Sequence, residues 1–196
     1  MKRSKWPWPR RIAWAIAAAL SLLASSWLGA IAADEQDARR LAVGINLFPA
    51  VLAADQDIAA KRDGSGPLRL LLVHRDEGAL IEELAATLRD KGAIRGIPLH
   101  VEIVAVDNLA AFEGEQAAGV FLAQRLGEDI AAILNFSRRH QLLTFSPFEG
   151  DVERGVVAGM AVSDRVMPYV NVEAISASGL RIKPFFLKIA ERYERR

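Results

Sequence analysis

The sequence predicts an α/β protein, a single domain with an open, mostly parallel sheet that is flanked by helices and completed by a C-terminal hairpin and a closing helix. Two observations predict this class. Aliphatic runs of strand length alternate with segments whose apolar residues recur at helical spacing. The resulting order of strand, helix, strand, helix and strand is typical of parallel sheets with right-handed crossovers.

The N-terminal segment predicts a secretory signal. The first 33 residues contain five bases and no acid, residues 12–28 are apolar or small, and Ala30, Ile31 and Ala32 suit a signal peptidase. We expect cleavage after Ala32, so that residues 1–32 form a signal peptide. The alternative is a retained membrane anchor, because about 20 apolar residues can span a bilayer.

The rest of the chain is acidic. Without the five leader bases it keeps 20 basic and 24 acidic residues, so the pI of 8.1 calculated for the whole chain does not describe the exported protein. The sequence shows no basic stripe that could neutralise phosphates, which disfavours nucleic-acid binding. It contains no cysteine, and the domain must therefore be stable without a disulfide.

Residues 33–40 are polar and are predicted to form a flexible tether ahead of a domain that covers 41–196. A core helix begins there, because apolar residues recur on one helical face: Leu41, Ile45, Phe48 and Leu52. Pro49 is predicted to kink or end this helix near Phe48, since proline removes a donor and clashes with the carbonyl four residues back.

The first strands are predicted from three aliphatic segments, Leu68–Val73, Leu99–Ile103 and Ala118–Ala123. The first and last are nearly unbroken, as in strands covered on both faces. The middle one alternates with polar residues and is expected near an edge. We predict a helix capped by Asp76 after the first segment, and a helix opened by Gln124 after the last.

The C-terminal third is predicted to form a strand from Leu142, a hairpin of 156–162 with 165–170, and two helices. Asn171 is expected to cap the first helix. The final helix is predicted to lay one apolar, aromatic face on the sheet, because five residues recur at helical spacing: Ile182, Phe185, Phe186, Ile189 and Tyr193.

This C-terminal stretch resembles the YfiR-like family. The resemblance is carried by Leu142-Leu143-Thr144, the acidic loop after it, the strand from Gly155 to Met160, the strand ending in Asn171, Ser178-Gly179 and residues 186–190. It extends from about Leu41 onward and implies a small periplasmic protein. The best-known members repress an inner-membrane diguanylate cyclase by binding its periplasmic portion. Cysteines that form disulfides in well-known members are absent here, which argues against redox control.

The leading interpretation is therefore a periplasmic regulatory protein that restrains an inner-membrane signalling partner, a diguanylate cyclase or a sensor kinase, through protein contact. The resemblance also implies a possible homodimer through the first helix. For partner contact we select Phe148 and Glu149 in the acidic loop, because an exposed aromatic residue beside acids suits a protein interface, and Tyr169 in the hairpin.

The alternative is a component that binds a small solute. Four polar residues follow strand ends, where open α/β sheets commonly bind ligands: His74, Asp76, Gln124 and Ser146. Ordinary loop and cap roles are favoured for these residues over ligand binding, because only a minority of such strand ends are functional.

Catalytic residues, metal ligands and cofactors are not predicted. Ser146 lacks a nucleophile elbow, the three histidines lack ligand spacing, and the acids Glu149, Asp151 and Glu153 match no calcium loop.

Overall fold

The computed structural model describes residues 34–62, 64–76 and 78–194. The chain divides into two compact units, Met1–Arg39 and Arg40–Arg196. The predicted signal peptide, 1–32, and the alternative of a retained anchor lie outside the described residues. No helix in the described ranges is both long enough and apolar enough to cross a membrane.

The second unit is built on one mixed sheet, whose described strands are β1 (Leu68–His74), β2 (Ala93–Ile94), β3 (Ile97–Ala105), β4 (Gly119–Leu122), β5 (Leu143–Phe145), β6 (Ala158–Val162), β7 (Val166–Asn171) and β8 (Glu191–Tyr193). They lie in the order β2-β3-β1-β4-β5-β6-β7-β8. Strands β3, β1, β4, β5 and β6 are mutually parallel, β2 and β7 run antiparallel to β3 and β6, and β8 is parallel to β7. The predicted α/β class is confirmed.

Helices cover both faces of this sheet. They are α1 (34–52), α2 (Ala79–Asp90), α3 (Ile130–Arg139), α4 (Val172–Ala177) and α5 (Pro184–Ile189), with 3-10 turns at Ile58–Lys61, Val106–Phe112 and Gly127–Asp129. Apolar residues of α1 and α2 share one core cluster, and those of α3 belong to a second cluster on the opposite face.

Strand β1 lies between the two clusters. Leu70 and Leu72 belong to the cluster with α1 and α2, whereas Leu71 and Val73 belong to the cluster with α3. All four side chains are fully buried. The aliphatic run therefore correctly predicted a strand covered on both faces.

Helix α1 approaches the sheet closely at Gly119 in β4. A Cβ atom there would lie 2.6 Å from Cδ2 of Leu52 and 3.2 Å from Cζ of Phe48. The ring of Phe48 also packs on those of Phe121 and Phe145, with centroids 5.5 to 5.7 Å apart. The described part of α1 from Arg40 onward is thus a core helix, as its periodicity predicted.

Two expectations about this N-terminal segment differ from the structure. The helix does not end near Phe48 but passes Pro49 and ends at residue 52, because Val51 and Leu52 are buried and their packing supports one more turn. Residues 34–40, expected to form most of a flexible tether, are helical.

The predicted roles of Asp76 and Gln124 at helix starts are also wrong. The N-cap residue of helix α2 is Gly78, which has no side chain to act as a cap. Gln124 lies in a loop before the 3-10 turn Gly127–Asp129 rather than in the first turn of α3. Both residues are held instead by hydrogen bonds to each other, because the side-chain amide of Gln124 binds the backbone of Asp76.

The C-terminal segment is partly as predicted. Strands β6 and β7 form the antiparallel hairpin, and Asn171 caps α4 by accepting a 2.9 Å hydrogen bond from the amide of Ala174. The closing helix, however, ends at Ile189, because residues 191–193 extend the sheet as β8 beside β7. Phe186 is buried but its neighbour Phe185 is 73% exposed, so the predicted single aromatic face does not form.

Candidate functional site

Gln124 closes the crevice between the carboxyl ends of β1 and β4. The chain passes from β1 to β3 on one side and then to β4 on the other, and open α/β sheets commonly bind ligands at such a switch point. Here Oε1 of Gln124 accepts hydrogen bonds from the backbone amides of Arg75 (2.8 Å) and Asp76 (2.9 Å), while Nε2 donates to the carbonyl of Asp76 (2.8 Å). The Gln124 amide is thereby engaged within the protein.

Arg75 strengthens this closure. Its guanidinium forms an ion pair with Asp129 and donates a 2.9 Å hydrogen bond to the carbonyl of Leu126. The loop after β1 is therefore tied to the loop after β4 by both backbone and side-chain contacts.

Ser146, directly after β5, is fully buried, and its hydroxyl is engaged within its own loop. Its hydroxyl donates a 2.6 Å hydrogen bond to Oδ2 of Asp151 and accepts a 3.2 Å hydrogen bond from the amide of Phe148. Burial raises the pKa of Asp151, partly offset by the hydrogen bond from Ser146 and the charge of Arg154. These contacts brace residues 146–156, here called the brace loop.

His74 lines an open cleft on the other side of β1. The cleft has a volume of about 490 Å³ and is lined by His74, Gly78, Ala79, Ile81, Glu82, Ile103, Ala105 and Asn108. We call it the β1 cleft. The structure thus brings Asp76 and Gln124 into contact, places His74 in a neighbouring cleft, and separates Ser146 from all three.

The three residues selected for partner contact do line one surface feature. A shallow cleft of about 230 Å³ lies between the brace loop and the β6–β7 hairpin, and its walls include Phe148, Glu149 and Tyr169. We call it the hairpin cleft. Its rim carries two further acids, Glu153 and Glu191.

Phe148 is not the exposed aromatic residue that the sequence suggested. Its side chain is only 3% exposed and belongs to the core cluster, and the guanidinium of Arg125 lies 5.0 Å from its ring centroid. The hydrogen bond from its amide to Ser146 turns the chain inward at this point. Its ring therefore packs in the core behind the cleft wall and supports it.

Tyr169 is half-buried, and its hydroxyl donates a 3.0 Å hydrogen bond to Oε1 of Glu153. Burial, followed by the hydrogen bond to Glu153, raises the pKa of Tyr169 to about 12. The phenol therefore stays neutral and serves the cleft as a hydrogen-bonding group.

Sequence reasoning missed Val162 and Val166. They are register partners at the tip of the hairpin and are 55% and 44% exposed. Their position beside the Ser163-Asp164 turn is the signal that identifies them, because side chains at a hairpin tip extend beyond the core. Val162 lines the hairpin cleft.

Within the described ranges no group of three or more histidine, aspartate or glutamate residues could hold a metal ion.

Comparison with known proteins gives a family match. A family model described as YfiR/HmsC-like matches residues 58–191. No curated protein shows significant sequence similarity to the chain.

Several solved structures are similar to part of the chain. A conserved domain protein from Vibrio cholerae is 15% identical, with 64% of this chain and 54% of that chain covered and a TM-score of 0.48. The ABC domain from Streptococcus pneumonia, solved with L-Trp, is 8% identical, with coverage of 72% and 61% and a TM-score of 0.48. A ligand-free, open substrate binding protein from Clostridium difficile is 10% identical, with coverage of 66% and 55% and a TM-score of 0.47. The chain spans a little over half the length of these proteins.

Proposed function

The chain belongs to the YfiR/HmsC-like family, and we propose that it restrains an inner-membrane signalling protein by binding that protein's periplasmic portion. The family is one of periplasmic regulatory proteins, and the match over residues 58–191 is the observation that carries the proposal. A diguanylate cyclase or a sensor kinase is the kind of partner we expect. The secretory leader predicted from the sequence supports the same compartment.

The hairpin cleft is the surface that we assign to this contact. It combines an exposed apolar side chain, Val162, with a half-buried phenol, Tyr169, and three acids on the rim: Glu149, Glu153 and Glu191. Interfaces are typically apolar at the centre and polar at the rim. Arg40 also lines the cleft, but the acids outnumber it three to one and favour a partner segment that carries lysine or arginine beside an apolar side chain.

The mechanism that we propose is unequal binding to two states of the partner. A bound protein shifts an equilibrium only as far as its affinities for the two states differ. If the acidic rim binds a basic segment that is accessible only in the inactive partner, occupancy of the hairpin cleft holds the partner inactive. The regulator itself then needs no large movement, which suits a cleft wall built on core residues such as Phe148.

Phe148 enters this proposal as a supporting residue, and Val162 replaces it at the contact. Because the Phe148 ring is buried, its removal would alter the brace loop before it altered any partner contact. Contact is therefore tested at Val162, Glu149 and Tyr169.

Photocrosslinking in intact cells tests the assignment. A benzophenone amino acid at position 162 is expected to trap one inner-membrane protein that has a cytoplasmic signalling domain. The same probe at position 43, on α1, is the control, because Val43 is also exposed, at 40%. Equal capture from both positions, or capture of periplasmic proteins alone from position 162, would show that the hairpin cleft is not the contact.

Charge reversal gives a second test of the same surface. Glu149→Lys is expected to weaken binding of the trapped partner by about tenfold or more, the effect of losing one charge-assisted contact. Glu83→Lys is the control, because Glu83 is an exposed acid on α2 that does not line the cleft. Binding that is unchanged in Glu149→Lys contradicts the acidic-rim part of the proposal.

A further inference from the structure

Strand β8 forms a free edge of the sheet. It ends the strand order and, within the described ranges, pairs with β7 alone. The outer side of such a strand presents backbone amides and carbonyls with which another strand can pair. Natural sheets usually protect an edge of this kind with charged side chains or a covering segment. Charged side chains are present here, and their order along β8 determines which strand can pair with it.

The charges allow β8 to pair with its own copy in one register. An antiparallel pair related by a twofold axis perpendicular to the sheet places one residue opposite itself. If that residue is Glu191, Arg192 or Glu194, identical charges face each other across the strands, which is destabilising. If it is Tyr193, the two phenols face each other, and Arg192 of each copy faces Glu194 of the other. Both of these cross-strand contacts are favourable.

The two charged side chains are available for pairs between copies. Arg192 and Glu194 are 55% and 69% exposed, and within the chain they approach each other only to 3.9 Å. Arg192 lies beside Val170 of β7, whose side chain belongs to the same core cluster as Phe186 of α5. Because side chains alternate along a strand, Arg192 and Glu194 lie on the face of the sheet that α5 covers.

Helix α5 adds an exposed apolar flank next to this edge. Phe185 and Ile189 are 73% and 50% exposed and lie one helical turn apart. Around the helix, at about 100° per residue from the buried Phe186, both lie on the side opposite to Leu187, which packs against the core. The flank therefore faces away from the core, and it precedes β8 directly along the chain. A cluster of exposed apolar side chains is typical of a protein interface.

We propose that residues 185–194, here called the β8 edge, form a homodimer interface in which two copies of the chain pair antiparallel about Tyr193. The twofold axis keeps both α5 helices on one face of the joined sheet, so that their apolar flanks lose contact with water beside the seam. This surface differs from the first helix, where the family resemblance implied a possible homodimer. The proposal concerns a second copy of the chain and stands whichever partner the hairpin cleft binds.

Sedimentation equilibrium of the exported protein, purified from the periplasm, tests for the dimer. A contact made by a short strand and one helix flank is small, so we expect a Kd on the order of 10 μM. Over a concentration range of about 1–200 μM the average mass should rise from that of the monomer towards twice that value. A protein that stays monomeric throughout this range overturns the proposal.

Two charge variants determine whether the dimer uses the proposed register. Arg192→Glu and Glu194→Arg each place like charges opposite one another at both symmetry-related pairs, so each should weaken dimerisation about hundredfold or more. When the two variants are mixed, opposite charges face each other at both pairs, and a heterodimer as tight as the wild-type dimer is expected. Because this recovery occurs between chains, neither misfolding nor the ion pair within one chain can explain it. A mixture that stays monomeric, or single variants that dimerise like the wild type, contradicts the register.

Cysteine substitution locates the centre of the seam. The sequence has no cysteine, so an introduced one can form a disulfide only between copies. Tyr193→Cys places two thiols directly opposite each other, with Cβ atoms about 4.5–5.5 Å apart, and oxidation should yield a covalent dimer. Glu191→Cys is the control, because its two copies are separated by about 13 Å along the paired strands, too far for a disulfide. Equal yields from the two positions, or a higher yield from Val43→Cys on α1, place the interface elsewhere and contradict the proposal.

Discussion

The ends of β1 and β5 belong to the same sheet and point in the same direction, yet they differ in how their polar groups are satisfied. At the end of β5, Ser146 binds Asp151 and the amide of Phe148, and the brace loop covers all of them. At the end of β1, His74 is 5% exposed and lines an open cleft, and its buried Nδ1 has no hydrogen-bond partner. The polar groups at the β5 end are thus paired within the protein, whereas one buried polar atom at the β1 end is not.

The largest change in the free energy of unfolding is expected from Phe148→Ala, which tests whether the β5 end is closed. Removal of a buried phenylalanine costs about 3–5 kcal/mol of the free energy of unfolding, and here it also removes the ring that supports the brace loop. Phe185→Ala is the control, because that ring is 73% exposed and its loss should cost no more than about 0.5 kcal/mol. Urea denaturation of both variants measures the difference. Similar costs would mean that the β5 end is not the closed region described here.

The next largest change in stability is expected from a comparison of two buried serines, one with hydrogen-bond partners and one without. Ser146→Ala leaves Asp151 and the Phe148 amide without the hydroxyl that pairs them, so we expect a loss of about 1–3 kcal/mol. Ser137 on α3 is 1% exposed, and its hydroxyl is buried without a partner. Ser137→Ala should therefore be nearly neutral. If the two variants unfold at the same urea concentration, the hydrogen bonds of Ser146 add nothing to stability.

The pH dependence of the brace loop is expected to be smaller. Burial raises the pKa of Asp151, so the folded protein holds this proton more tightly than the unfolded chain does. The resulting stabilisation is complete below the unfolded value of about 3.9 and is lost as pH rises through the folded pKa. We expect the wild type to lose stability relative to Asp151→Asn over that interval.

Urea denaturation at a series of pH values checks this expectation, and Asp164→Asn is its control. Asp164 is exposed in the turn of the hairpin, where burial cannot act on its carboxyl. If the difference in the free energy of unfolding between the wild type and Asp151→Asn does not change with pH, the buried carboxyl does not titrate as described.

Much of the sheet was predictable because its causes are local. The aliphatic run of Leu68–Val73 specifies a strand buried on both faces, and the side chain of Asn171 caps the helix that follows it directly. Phe185 and Phe186 show where local reasoning stops. They are adjacent and chemically identical, and the pairing of β8 with β7 determines which of them is buried.

The candidate sites were less predictable for the same reason. The sequence placed His74, Gln124 and Ser146 at strand ends, but the use of each side chain depends on a distant segment. Gln124 binds backbone atoms 48 and 49 residues away, and Ser146 is enclosed by its own loop. The burial of Phe148 also follows from that loop, so its place in an acidic segment misleadingly suggested exposure.

The smallest change in the free energy of unfolding is expected at the end of β1, and a small change there is what distinguishes it from the end of β5. His74→Leu replaces a buried ring that has an unpaired nitrogen with an apolar side chain, which should change the free energy of unfolding by no more than about 0.5 kcal/mol. Urea denaturation of the variant and the wild type measures this change. A loss of stability as large as that of Ser146→Ala would show that His74 is part of a satisfied structural contact, and the two strand ends would then be alike.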